Sequence, residues 1–154
     1  MYDKTVTVFN KYTDQTGNIH WYPHVLHRVD LIVDKAANVA KTGLDSADTA
    51  NLHVKYSVKD GQKMIGDKVY LPPKEWEEQP NDELADSITF ASGDFFVEGE
   101  YAEEPILDSD YANRVDGGFY DYLNKRRDYV FLITKVTGAL GVFGILNHFE
   151  IGGK

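Results

Sequence analysis

The sequence predicts a mainly β domain, a small antiparallel barrel or sandwich with long loops and two or three short helices. Three observations lead there. Several short runs alternate apolar and polar residues, the two-residue period of half-buried strands. Gly, Asn, Asp and Pro punctuate those runs. No apolar stretch approaches the roughly 20 residues of a membrane span. With 154 residues, the chain is long enough for one domain, residues 1–154, around a sizeable core.

The elements follow in order. Thr5–Tyr12 alternates, with Val6 and Val8 on one face and Thr7 and Lys11 on the other. Thr13–Asn18 concentrates turn formers, and Gly17 can take the positive φ of a tight reversal. A long second strand then runs to Asp34, with Val25, His27, Val29, Leu31 and Val33 sharing one face and Arg28, Asp30 and Asp34 the other. Lys35–Gly43 fits either two helical turns or a loop, and Gly43–Thr49 reads as a loop tip. Leu52, Val54, Tyr56 and Val58 define a third strand that ends at the turn Lys59-Asp60-Gly61. Two shorter extended pieces follow over Met64–Leu71, broken at Gly66-Asp67.

Pro73 suits the first position of a short helix that docks Trp76. A loop from Asn81 leads to strand pieces at Ile88–Phe90 and Phe95–Val97, with a turn at Gly93-Asp94. From Glu98 to Val115 the pattern fails, and acids dominate around Pro105. Structureless connections of that length are functional or disordered. Asp116 is placed to cap a helix opened by Gly117-Gly118, with Phe119 and Leu123 inward and Lys125-Arg126-Arg127 closing its far end. Tyr129–Ile133 is apolar on both faces, as in a strand covered on two sides. Gly138, Gly141 and Gly144 make a pliable link to a last strand, Leu146–Ile151, and a Gly-Gly-Lys tail.

Composition excludes several functions. The net charge is −9, and without a basic cluster the chain lacks the cations that bind phosphate backbones. The cationic run at 125–127 reads as a helix end. There is no cysteine, so disulfides and thiolate metal sites are excluded. The N-terminus has no signal-peptide pattern, consistent with synthesis in a bacterial-type cytosol.

Candidate chemistry is sparse. His20, His24 and His27 lie close in sequence, but His27 points away from the other two and no carboxylate completes a site. The paired acids Glu77/Glu78, Glu103/Glu104 and Asp108/Asp110 are too abundant to mark a glycosidase-type dyad. Nucleophile elbows, phosphate loops and zinc-helix motifs are missing. Tyr12, Tyr22, Tyr101, Tyr111, Tyr120 and Tyr122 fit either the rim of the core or an interface. No catalytic residue, metal ligand or cofactor site is assigned.

A resemblance goes further. Thr5–Tyr12, Trp21-Tyr-Pro23, Val29–Asp34, Lys63–Gly66, Leu71-Pro-Pro-Lys-Glu-Trp76, Ile88–Phe90, Gly118–Tyr122 and His148–Ile151 resemble an uncharacterised family carried by phages and prophages of Gram-positive bacteria. The layout is similar to head-completion proteins of long-tailed phages, the adaptors and stoppers below the portal. There an early hairpin is followed by loops, a late Ile-Thr-x-Val strand (here Ile133–Val136) and a His-bearing strand (here His148). The resemblance implies a non-enzymatic virion protein, a ring-forming head–tail connector or tail-completion component. Its partners would be portal, adaptor or tail proteins, with no specific nucleic-acid binding and no membrane. An acidic loop, 98–110 first, would line a channel for DNA. Two alternatives from other classes stand beside it: a carbohydrate- or peptide-binding β module around Trp21 or Trp76, and an acid-based hydrolase.

Overall fold

A computed structural model describes residues 2–34, 49–139 and 147–154. The expected helix or loop at 35–48, most of the glycine link, and Leu146 lie outside the described residues. Among the described residues eleven strands form two sheets. Six of them close an antiparallel barrel in the order β1 (Lys4–Thr13), β8 (Phe95–Glu98), β10 (Val130–Ala139), β11 (His148–Gly153), β3 (Thr49–Lys55) and β2 (Ile19–Asp34), which returns to β1. β9 (Ile106–Leu107) adds an extra strand along the start of β2.

Closure rests on β2. It pairs with β1 from Ile19 to Val29 and with β3 from Asp30 to Asp34. Near the end of its pairing with β1 the register slips, with Lys4 opposite Val29 but Val6 opposite Leu26. β2 therefore carries one extra residue there, a β-bulge, and Arg28 sits in it at φ 58°. This corrects the single-face expectation for β2. Up to the bulge the barrel interior receives Leu26, while Val25 is half-buried and His27 exposed. After it the phase shifts and Val29 turns inward.

The interior is filled by Val6, Val8, Leu52, Val54, Phe96, Phe131, Phe149 and Ile151, among others. The third expected strand breaks at Tyr56. β3 stays in the barrel, while β4 (Ser57–Lys59) starts a second sheet with β5 (Gln62–Ile65), β6 (Lys68–Tyr70) and β7 (Ser87–Ile88). Val58 is consequently 60% exposed rather than buried. This second sheet and the residues after it seat Ile65, Tyr70, Ile88 and Phe90 on the barrel core, where the Phe149 ring packs tilted on Tyr70 and edge-on to Phe90.

The wall made by β1, β8 and β10 is covered on both sides. Phe96 and Phe131 face inward, whereas Phe9, Phe95, Val97 and Val130 face out toward α2 (Phe119–Arg126). Phe119 and Leu123 of α2 are buried there, as expected, each worth roughly 2–3 kcal/mol of apolar burial. α1 (Pro73–Glu77) starts at a proline and buries Trp76 against Tyr22 and Leu84. Among the described residues no helix is long and apolar enough to cross a membrane.

Two further expectations change. The 98–115 stretch is ordered. Thr7 Oγ1 donates to the Gly99 carbonyl and accepts from Tyr101 N–H, β9 pairs with β2, and Asp108–Tyr111 forms a 3-10 turn. The Gly-Gly-Lys end is part of the barrel. Gly153 pairs with Ile133, and Lys154 exchanges backbone hydrogen bonds with Leu132.

The two last glycines differ in what surrounds them. A Cβ on Gly153 would meet Phe131 Cβ at 2.8 Å and the Phe96 ring at 3.0 Å, but on Gly152 it would find ordinary contacts of 3.6 Å. Gly153→Ala should therefore cost about 1–3 kcal/mol through overpacking. Gly152→Ala should stay within about 0.5 kcal/mol of wild type. Urea unfolding of the two variants checks this pair.

Candidate functional site

Three polar constellations stand out from the apolar frame. The first is buried beside β1. Asp94 accepts from Asn10 Nδ2 (2.9 Å), Lys11 N–H (2.9 Å) and Ala91 N–H (3.0 Å). Asn10 also donates to the Thr89 carbonyl (2.6 Å) and accepts from Thr89 N–H (3.2 Å). Asn10, Thr89 and Asp94 are all buried, so this knot ties the loop before β8 to β1. Burial pushes the Asp94 carboxyl up to about 7, against the pull of its three N–H donors.

The second lies across the barrel, on β2 and β6. Lys68 Nζ donates to Nδ1 of the buried His24 at 2.6 Å. Burial, then the charge of Lys68, pushes His24 down to about 3, so it is neutral. Burial also pulls Lys68 down. Lys68 borders a cleft of about 340 Å³ between the β2 bulge and the β5–β6 turn, lined also by Arg28, Lys55 and Asp67 over Leu26 and Val54.

The third is on the outer wall. His53 of β3 and His148 and Glu150 of β11 bring ligand-type atoms within 4.8 Å of one another. His148 Nε2 lies 3.3 Å from Glu150 Oε1, and the two imidazoles stack at 5.3 Å between centroids. Among the described residues this is the group with spacing for a metal ion. Sequence reasoning passed over it, because His53 and His148 come from strands far apart in the chain. The one local signal was His148-Phe-Glu150, an alternation that puts both ligands on one face.

The histidines singled out from sequence are dispersed. His20 Nε2 sits 2.8 Å from Asp14 Oδ2 within the first turn, His24 is internal, and His27 contacts Thr5 and the exposed Glu100. Asp14 organises that turn, accepting from Thr16 N–H, the Thr16 hydroxyl and Asn18 N–H; the Thr16 hydroxyl and His20 hold its carboxyl well below the usual range.

The acid pairs also separate. Glu77, Glu78, Glu103, Glu104 and Asp110 are exposed. Asp108 instead accepts from Trp21 Nε1 (2.8 Å) and Phe119 N–H (2.9 Å) and so caps α2. Gly118, at φ 144°, leaves room for it, since a Cβ there would lie 2.6 Å from Asp108 Oδ2. The expected cap, Asp116, is not used that way. It is buried and takes both guanidinium nitrogens of Arg126 at 3.3 Å, which together with Asn113 and Lys125 hold its carboxyl low. The cationic run thus closes α2 by folding back on an acid.

The tyrosines mostly rim the core. Tyr101, Tyr111, Tyr120 and Tyr122 pack around Phe119, and Tyr22 and Tyr12 pack beside Trp76. Trp21 and Trp76 are 4% and 1% exposed.

Against known proteins, the chain matches a family of unknown function, DUF6751, over residues 1–154. The protein belongs to this family. No curated protein and no solved structure matches the chain. The matched residues include those of the barrel, the second sheet and α2.

The buried acid and the buried base should leave opposite marks on stability. Asp94 titrates higher folded than unfolded, so its contribution is full below about pH 4 and is lost as pH rises toward about 7. His24 titrates lower folded than unfolded, so its neutral form gains stability as pH rises from about 3 to about 6.5. Between pH 4 and 6.5 the two slopes offset in the wild type. Asp94→Asn should unmask a stability that rises with pH, and His24→Gln one that falls. Urea unfolding at several pH values tests this, and variant profiles parallel to wild type would refute it.

Proposed function

We propose that the protein is a non-enzymatic structural component of a phage or prophage particle, a ring-forming subunit of the head–tail connector or a tail-completion component. It is made in the host bacterial cytoplasm and carried in the virion. Its partners are portal, adaptor or tail proteins and further copies of itself. The observation that carries this reading is the closed barrel filled by its own side chains, with the second sheet and α2 packed outside it. A subunit of a ring needs such a rigid wall and loops that meet neighbours. Closure also removes the open sheet edges through which β proteins aggregate.

The 98–110 segment keeps its place as the proposed acidic lining. Glu100, Glu103, Glu104 and Asp110 are exposed, and anchoring to β1 and β2 holds them on a fixed surface. Negative charge on a channel wall lets DNA pass without adhering.

The carbohydrate-binding alternative rests on a cleft of about 380 Å³ lined by Trp21, Tyr120, Asp108 and Asp121. Trp21 offers little ring face there, and its indole N–H is committed to Asp108. An acid-based hydrolase at the same cleft needs a carboxyl raised toward neutrality. Asp121 is held low, by the Gly117 N–H and by Lys125.

Electron microscopy of particles lacking the gene tests the proposal. DNA-filled or leaking heads without tails are expected. Normal tails joined to heads would sink the connector role, and glycan-array hits on the purified protein would favour the alternative.

A further inference from the structure

The outer face of β2, β3 and β11 carries a polar row set by strand register. Asp30 stands across from His53, and His53 across from Glu150. Cross-strand partners point to the same side of a sheet, and His148, two residues from Glu150, shares that side. The row is therefore built by backbone hydrogen bonding, and its members are fixed before any ligand arrives.

We propose that His53, His148 and Glu150 bind a divalent transition-metal ion, Zn²⁺ in the first instance, with a further coordination position left to water. Two imidazoles and a carboxylate suit Zn²⁺, Co²⁺ or Ni²⁺ and do not suit the all-oxygen preference of Mg²⁺ or Ca²⁺. Ligands about 2.1 Å from a tetrahedral ion lie roughly 3.4 Å from one another. His148 Nε2 and Glu150 Oε1 already meet that spacing, at 3.3 Å. All three ligand atoms lie within 4.8 Å of one another, so at most roughly 1.4 Å of side-chain adjustment brings the group to that spacing.

The surroundings favour a cation. The His148 side chain is only 12% exposed, so it meets an ion largely free of competing water. Asp30 is the next carboxylate along the row, and Asp30 and Glu150 both bear on the Tyr2 phenol, which burial and then these two charges push up. Two acids thus focus negative potential on the same patch. The opposing cation is Lys55, the register partner of His148, and its ammonium lies over the Tyr2 ring at 4.5 Å. Tyr2 holds that charge by its ring face. An ion here would link β11 to β3 on the outer wall, adding a bond to the backbone ladder and the imidazole stack that already join them. The site is independent of the virion proposal.

The test uses the full chain, freed of metal with a chelator and titrated with ZnCl₂ and CoCl₂. Calorimetry should show about one Zn²⁺ per chain, Zn²⁺ should raise the melting temperature, and Co²⁺ should give visible absorption bands of a nitrogen- and oxygen-bound ion. His53→Ala, His148→Ala and Glu150→Gln should each weaken Zn²⁺ binding by roughly tenfold or more. His20→Ala, which removes the close His20–Asp14 contact elsewhere on the surface, should leave it unchanged. Circular dichroism of the metal-free variants checks the fold, and the exposed Glu150 makes Glu150→Gln the variant least able to disturb it. The proposal is overturned if wild type binds no Zn²⁺ at about 100 μM, since a three-ligand site holds it far more tightly. It is equally overturned if the three ligand variants bind as wild type does, or if His20→Ala abolishes binding.

Discussion

A barrel closes only when its strands can change partners without exposing the core, and here that constraint falls on Arg28. It takes a left-handed backbone conformation that non-glycine residues adopt at some cost. In return β2 gains the bulge that lets it leave β1 and join β3. The same extra residue resets the alternation, so Leu26 before it and Val29 after it both reach the interior. Straightening β2 would send one half of its apolar residues to solvent. The pairing of β2 with β3, which sets Asp30 beside His53 in the outer row, depends on that hand-over.

A second organising feature is that one wall serves two cores. Along β1, β8 and β10 successive residues go alternately to the barrel interior and to α2, so the wall has no wet face. Several polar groups trapped in this region are bonded to one another. Asn10 and Asp94 satisfy the backbone of the neighbouring loop, and Asp108 joins Trp21 to the start of α2. The links from Asn10, Lys11 and Trp21 span 79 to 87 residues, which makes the loops around the wall part of its structure.

That pattern explains what the sequence disclosed. The first hairpin, the start of the third strand, the Trp76 helix and the doubly covered Tyr129–Ile133 run were legible because local periodicity and turn chemistry specify them. The β2 bulge was not, because an arginine in a left-handed conformation carries no punctuation of the kind glycine gives. The order in 98–118 was hidden for a related reason. Asp108 looks like one acid among many until Trp21 and Phe119 N–H are brought to it by the fold. The cap was sought at Asp116 by proximity to the helix, but buried Asp116 answers to Arg126 at the opposite end. His53 and the His148–Glu150 pair became neighbours only through the β3–β11 register, which no short motif encodes.

The small sheet has a bearing on how copies of this protein can meet. Its outermost strand, β4, is three residues long, fully exposed and ends in Lys59, with Val58 projecting from it. With the barrel sealed, the short margins among the described residues are this strip, the buried two-residue β7 at the sheet's other end, and the two-residue β9. A margin so brief and so charged cannot template a continuous ribbon from molecule to molecule. Among the described residues, contact between copies would therefore fall to side-chain relief rather than to shared backbone ladders.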